Sequence, residues 1–362
     1  MSLRDIPVLL MRGGTSRAPY FLAEDLPGDR DALARVLIAA MGAGSPLQVD
    51  GIGGGQPTTS KVAMLSPSDD GWAEVDYFFA QVHAEKAEVD FEPSCGNILA
   101  GVGPAAIELG LVAPAGETTA VRIRNVNTGA RIEAIVKTPD GAVTYEGDAR
   151  IDGVPGTSAP IVLNFRDVVG SKTGALFPTG SPRESVQGVD VTCIDVAMPM
   201  VIGRAEDFGI TGHESRDELD ANGALFAAIE RVRLDAGERM GLGDVTQSVV
   251  PKFGLLAAPR EGGAIAARYF MPWKTHPSFA VTGAVCVSSC LAAGGTVAEG
   301  LAVLPDERPM PLAIEHPSGR IDVVLDADRT DGGLELRSAG LLRTARRLMR
   351  GHVSVPAAAF TA

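Results

Sequence analysis

Cysteine is scarce in this chain: Cys95, Cys193, Cys286 and Cys290 are the four in 362 residues. So few thiols, so far apart, make no disulfide framework of the kind that staples small secreted domains. Long apolar runs are also missing, since no stretch approaches the ~18 residues a membrane span requires. The N-terminal MSLRDIPVLLMRGG, with Arg4 and Asp5 ahead of a short apolar segment, does not read as a secretory leader. A cytoplasmic location is expected, with no membrane partner. Positive charge is in deficit too. The formal net charge is -13, which argues against nucleic acid, whose recognition needs a basic face. An anionic ligand would have to be met by a local gathering of cations and backbone N–H groups.

What remains is ordinary for a globular chain, 45% apolar and 21% charged, and long enough for two or three domains. The densest basic cluster, Arg343, Arg346, Arg347 and Arg350, is accounted for by an exposed C-terminal face. Cys286 and Cys290 are four apart in an Ala/Val/Ser-rich run with no flanking His or acid, which favours buried small hydrophobes over metal ligands.

The chain reads as a divergent repeat. DIPVLLMRGGTSRAPYFLAEDL from Asp5 parallels CIDVAMPMVIGRAEDFGIT from Cys193, and SKVAMLSPSDDGWAEVDYFFAQ from Ser60 parallels PKFGLLAAPREGGAIAARYFMP from Pro251. CGNILAGVGPAAIELG, from Cys95 to Gly110, reads as an almost wholly apolar helix. AVTGAVCVSSCLAAGG, from Ala280, is its counterpart. Two strand–turn–strand segments, VRIRNVNTGARIEAIVK and LAIEHPSGRIDVVLD, follow these helices. A helix apolar on every side must be enclosed, and a curled sheet encloses it. The expected class is therefore α+β, with two pseudo-symmetric domains, each a mostly antiparallel sheet around a central helix. Outer helices are expected near Asp31–Met41 and Asp217–Leu234, and PTGSPRES at 178–185 is the linker candidate. This places the domains at 1–182 and 183–349, with the last strand, about 350–362, returning to the first.

Chemistry-bearing residues gather at a few places. Cys95 opens a helix beside Gly96 and Asn97, where unpaired N–H groups lower a thiol pKa and receive a carboxylate. A buried structural cysteine is the competing reading. Lys61, next to Ser60 at the start of an apolar strand, is either a partly desolvated base or a strand-end lysine with its ammonium in water. MRGGTSR supplies Arg12, Gly14, Thr15 and Ser16 as a carboxylate cradle, or simply as a hairpin turn. The loop DGIGGG at Asp50–Gly55 leads into a strand and lacks the βαβ context of a dinucleotide fingerprint. In the second half, WKTHPSFAVTGA brings His276 and Ser278 to a helix start at Thr282 and Gly283, the repeat partner of the helix opened by Cys95. No metal or nucleotide motif is recognisable, so no cofactor is expected.

The segments MRGGTS, DGIGG, TSKVA, CGNILAGVGPAAIELGLV, RIDGVPG, PTG and HPSFAVTGAV closely resemble the PrpF family, over essentially the whole chain. The resemblance implies the fold of diaminopimelate epimerase and an isomerase acting on a small anionic tricarboxylate or keto-tricarboxylate. Among family members the wording is most similar to the 4-oxalomesaconate isomerases (tautomerases) of gallate and protocatechuate degradation. Isomerases of 2-methylaconitate or trans-aconitate are the alternative. By the same resemblance, Lys61 and Cys95 carry the proton transfers. Arg12, Gly14, Thr15, Ser16, Ser60, Gly96, Asn97, His276, Ser278, Thr282 and Gly283 would contact substrate. A homodimer is a candidate assembly.

Racemases of this fold place a second cysteine in a motif matched here by AVTGA, and that position is Ala280. A two-thiol racemase is therefore disfavoured, and a non-catalytic polycarboxylate binder is the remaining alternative. Two departures bear on substrate identity. Arg17 stands where the family commonly has Lys, and Gly55-Gln56-Pro57 replaces Ala-Asp-Pro.

Overall fold

A computed structural model describes residues 2–276, 278–330 and 333–361. The chain divides into two compact units, residues 1–164 with 342–362, and residues 165–341. PTGSPRES therefore lies inside the second unit.

The first unit begins with a hairpin, β1 (Leu3–Gly13) and β2 (Ser16–Leu22), in which Leu9 faces Tyr20 and Arg12 faces Arg17. Its turn needs glycine: Gly14 has φ +51°, and a Cβ there would sit 2.2 Å from Asn97 Oδ1. The outer helix α1 (Arg30–Met41) starts where Asp29 accepts a hydrogen bond from the Ala32 amide at 2.9 Å and stops at left-handed Gly42. Its buried stripe of Leu33, Val36, Leu37, Ala40 and Met41 packs on Ile6, Val8, Phe21, Val62 and Met64. Strands β3 (Lys61–Pro67), β4 (Val75–Val82), the two-residue β5 (Val89–Asp90), β6 (Thr118–Asn125), β7 (Arg131–Lys137) and β8 (Pro160–Arg166) complete the run. β2–β3 and β4–β6 pair in parallel; β3–β4 and β6–β7 pair antiparallel. From Leu342 onward the last strand lies antiparallel to β1, from Leu3 opposite Pro356 to Gly13 opposite Ala345.

The sheet encloses α2 (Gly96–Leu99) and α3 (Val102–Glu108), whose side chains from Ile98 to Ala106 are buried. The single helix expected from Cys95 to Gly110 is thus two short ones. Pro104 has no N–H to offer the Ala100 carbonyl, and the Ala100 and Gly101 amides turn back to Asn97 and Ile98 in tighter bonds. Tyr20 packs into the break, where a Cβ on Gly101 would lie 2.3 Å from its hydroxyl.

The second unit repeats the pattern. β9 (Glu184–Val186) pairs β10 (Val189–Asp195), which pairs β11 (Pro199–Arg204), and β12 (Lys252–Ala257) and β13 (Ile265–Phe270) follow. β14 (Met310–His316), β15 (Gly319–Thr330) and the first part of β16 (Gly333–Pro356) complete it. The hydrogen-bonded partners alternate as before: β11–β12 and β13–β14 parallel, β10–β11, β12–β13, β14–β15 and β15–β16 antiparallel. Here it is the outer helix that comes in two pieces. α4 (Arg216–Asp220) opens on a Ser215–Glu218 capping box, and Asn222 caps the Leu225 amide to restart the chain as α5 (Gly223–Arg239). The central helix α6 (Val281–Ala292) is unbroken and buried from Gly283 onward. Cys286 and Cys290 lie inside it as small hydrophobes, and burial pushes Cys290 up to about 12.

Candidate active site

Of the four thiols, Cys193, Cys286 and Cys290 are buried and Cys95 alone is partly exposed. Cys95 occupies the N-cap of α2 in extended conformation, its carbonyl accepting from the Leu99 amide at 3.0 Å. The Gly96 and Asn97 amides precede that first intrahelical bond, as helix geometry requires. The segment leading into Cys95 is pinned from the β6–β7 turn. Asn125 donates to Ser94 Oγ at 2.6 Å, and Asn127 donates to the carbonyls of Phe79 and Phe91 while accepting from the Phe79 amide.

Lys61 begins β3 directly opposite Gln81 of β4. Its Nζ donates to Gln81 Oε1 at 2.9 Å and lies 5.3 Å from the centroid of the Phe79 ring. Gln81 is itself oriented, because its amide nitrogen donates to the carbonyls of Ser60 (2.9 Å) and Pro57 (3.1 Å) and so turns its oxygen toward Lys61. Tyr77, Phe79 and Gln81 follow the period-two spacing of a strand and share one face of β4. The same face thus touches both candidates, since Tyr77 donates to the Cys95 carbonyl at 3.3 Å.

Two buried tyrosines flank Cys95. Burial first, and Cys95 second, push the hydroxyls of Tyr20 and Tyr77 well above the usual phenol range. Neither ionises near neutrality, so both act as fixed donors; Tyr20 bonds the Ile98 carbonyl at 2.5 Å.

The remaining first-unit residues fall into two groups. Gly14, Thr15 and Asn97 meet, with Asn97 Nδ2 donating to Thr15 Oγ1 at 3.1 Å. Ser16 is buried in the hairpin. Ser60 is fully buried and donates to Gln48 Oε1 at 2.6 Å, an oxygen that also accepts from the Gly55 amide. It serves the glycine loop's geometry. Arg12 is engaged by the protein: Nη1 donates to Gly14 O, Thr344 O and Thr344 Oγ1, and Nη2 to Ser158 Oγ. Its guanidinium ties the turn to the last strand.

In the second unit, His276 Nδ1 accepts from the Ser278 amide at 3.0 Å, and its ring meets Tyr269 edge-on. Burial, with Lys252 and Arg216 nearby, holds this imidazole below its usual pKa, hence neutral at pH 7. Thr282 donates to Met198 Sδ at 3.2 Å. Gly283 packs on Tyr269, where a Cβ would approach within 2.7 Å. Ala280 is the N-cap of α6, as Cys95 is of α2, and supplies no side-chain cap.

Gln81, Asn127, Tyr77 and Gln48 are the contributors that sequence reasoning missed. The Asn-x-Asn of the NVNTG turn was a usable signal for a side-chain clamp; Gln81 required the strand register. Among the described residues there is no group of three or more His, Cys, Asp or Glu able to hold a metal ion. No described helix is long and apolar enough to cross a membrane.

The family description "PrpF protein" matches residues 3–356. The chain belongs to the PrpF family. It is 52% identical over 350 residues to the (4E)-oxalomesaconate Delta-isomerase of Novosphingobium sp. KA1, covering 96% of this chain and 97% of that one. It is 50% identical to the 4-oxalomesaconate tautomerase of Pseudomonas putida, covering 97% and 96%. A 2-methyl-aconitate isomerase of Shewanella oneidensis is 34% identical, covering 96% of each. Among solved structures, a methylitaconate-delta-isomerase superposes with a TM-score of 0.90 at 33% identity, over 100% of this chain and 98% of that one. A probable proline racemase from Agrobacterium radiobacter K84, at 13% identity and TM-score 0.51 over 98% and 95%, shares the fold.

Proposed function

We propose that this PrpF-family protein isomerises 4-oxalomesaconate by a 1,3-proton shift, with Lys61 and Cys95 carrying the proton. The observation that supports this reading most is the shared face of β4: Gln81 and Phe79 hold Lys61 while Tyr77 holds the backbone of Cys95. The tyrosines beside Cys95 are locked as protonated donors, which supports assigning the transfers to an unlike pair, an amine and a thiol.

The step balances within the chain. One member of the pair removes a proton from the carbon flanking the C=C bond and its carbonyl. The electron pair moves into the double bond system as an extended enolate, and the other member returns a proton at the far carbon. The C=C bond shifts one position, and exchange of the pair with solvent resets its protonation. The amides of Gly96 and Asn97 are proposed to face the enolate oxygens. The cytoplasm is the proposed location.

The test is a panel of acids followed by ultraviolet absorbance. The reading expects 4-oxalomesaconate to be turned over with the highest kcat/KM, by at least about tenfold. Preference for 2-methylaconitate or trans-aconitate would transfer the same chemistry to another acid. Turnover of none would end the catalytic reading.

A further inference from the structure

We infer that Arg17 is the carboxylate-binding, specificity-determining residue of the first unit, the one that holds the substrate carboxylate lying beyond the reacting carbons. The inference rests on the proposed isomerase reading.

Arg17 and Arg12 face each other across the β1–β2 hairpin, and Arg12 faces Arg346 of the last strand, so three guanidinium-bearing residues stand in one row. Among the described residues none of the three is ion-paired, in a chain with 45 acidic against 32 basic residues. Arg12 is spent on four acceptors of the protein, and Arg346 is exposed. Arg17 differs from both. Half-buried like Arg12, it has an Nε that is fully shielded from solvent and has no hydrogen-bond partner. Arg35 Nε is shielded and unpartnered as well; what marks Arg17 is that its guanidinium, beside the segment that leads into Lys61, makes no hydrogen bond among the described residues, which leaves the fork available to a ligand carboxylate.

Its position is also fixed. The Arg17 amide donates to the Thr58 carbonyl at 2.9 Å, and Nη2 rests on Gly54, where a Cβ would intrude to 2.7 Å. The glycine thus makes room for the guanidinium. Thr58, Thr59 and Ser60 then lead directly into Lys61. The neighbouring turn supplies Thr15, already bonded to Asn97 beside Cys95. A planar fork of N–H donors matches the two oxygens of a carboxylate, a geometry that a lysine ammonium does not reproduce.

The experiment is a calorimetric titration of tricarballylate, a saturated tricarboxylate that cannot undergo the allylic shift, into the full-length protein and its Arg17 variants. Arg17→Met is expected to weaken binding at least tenfold with an unchanged melting temperature, because the removed guanidinium makes no hydrogen bond within the protein. Arg17→Lys should fall between. With a turned-over tricarboxylate, Arg17→Met should raise KM while kcat stays within about threefold, and should erase discrimination against dicarboxylates. Should the Met variant melt early, Arg17→Gln carries the same expectation. A dissociation constant within twofold of wild type, or no binding by wild type at millimolar tricarballylate, overturns the inference. The titration needs no turnover, so it separates the two claims. Isomerisation that ignores Arg17 sinks this inference alone, and Arg17-dependent binding without isomerisation of any acid sinks the catalytic reading alone.

Discussion

Gln81 gives Lys61 a neutral acceptor at 2.9 Å, where a carboxylate would have made an ion pair. The distinction matters because an adjacent carboxylate favours the charged ammonium, whereas an amide oxygen orients the amine without adding a negative charge. The amide nitrogen of Gln81, tied to Ser60 and Pro57, makes that orientation one-sided. In the proposed mechanism Gln81 acts as a positioning residue for Lys61, and Gln81→Leu is expected to lower kcat/KM about tenfold, the equivalent of one hydrogen bond. Gln81→Glu should move the pH–rate profile as well. A plain loss of stability would leave the profile in place, so measuring both variants separates the two roles. The hairpin shows why local sequence was ambiguous at this scale. MRGGTSR offers two arginines, and Arg12 reads naturally as the carboxylate fork. Its acceptors, however, include Thr344, which lies 332 residues away in sequence. Which arginine the protein itself would satisfy depends on that distant strand.

At the scale of elements, most strands and outer helices were legible, because alternating and 3.6-residue apolar patterns report which face is buried. The central helix was less so. Pro104 in an Ala-rich run is compatible with the first turn of a new helix, and only the packing of Tyr20 against Gly101 shows that the chain restarts there. The turn between β12 and β13 depends on a contact no pattern announces. Glu315 of β14, buried, accepts the amides of Arg260, Glu261 and Gly263 at 2.7–2.8 Å. Burial pushes this carboxyl up, but the three amides outweigh it and hold the pKa below the usual carboxylate range. A folded pKa below the unfolded one means the stabilisation is complete above the unfolded value and fades as pH falls through the folded one. Nearby His213 is likewise held below its usual pKa, by burial and then by Arg260 and Arg268, so its protonation opposes folding from about pH 6.5 downward. Urea denaturation from pH 7 to about pH 3 is therefore expected to show stability falling in two stages. Glu315→Gln should make the lower stage shallower, with the remainder carried by other carboxylates held low, among them Glu214 and Asp220; an unchanged slope in that variant would contradict the assignment.

For the molecule as a whole, the repeat was the most readable property, because corresponding segments keep their order although they share few identities. The structure expresses it as the same alternation of parallel and antiparallel strand pairs in both units. The two units diverge in chemistry at matching places: Cys95 against Ala280 at the helix N-caps, and a broken central helix against a continuous one. That asymmetry is why the proposed pair is a thiol with a lysine rather than two thiols. The most direct measurement of that claim is solvent deuterium incorporation into 4-oxalomesaconate, followed by NMR for wild type, Lys61→Ala and Cys95→Ser. The account predicts deuterium at the carbons of the 1,3-shift with wild type, and rates lower by about 10²–10⁴-fold in each variant. Near-normal exchange in both variants would contradict it.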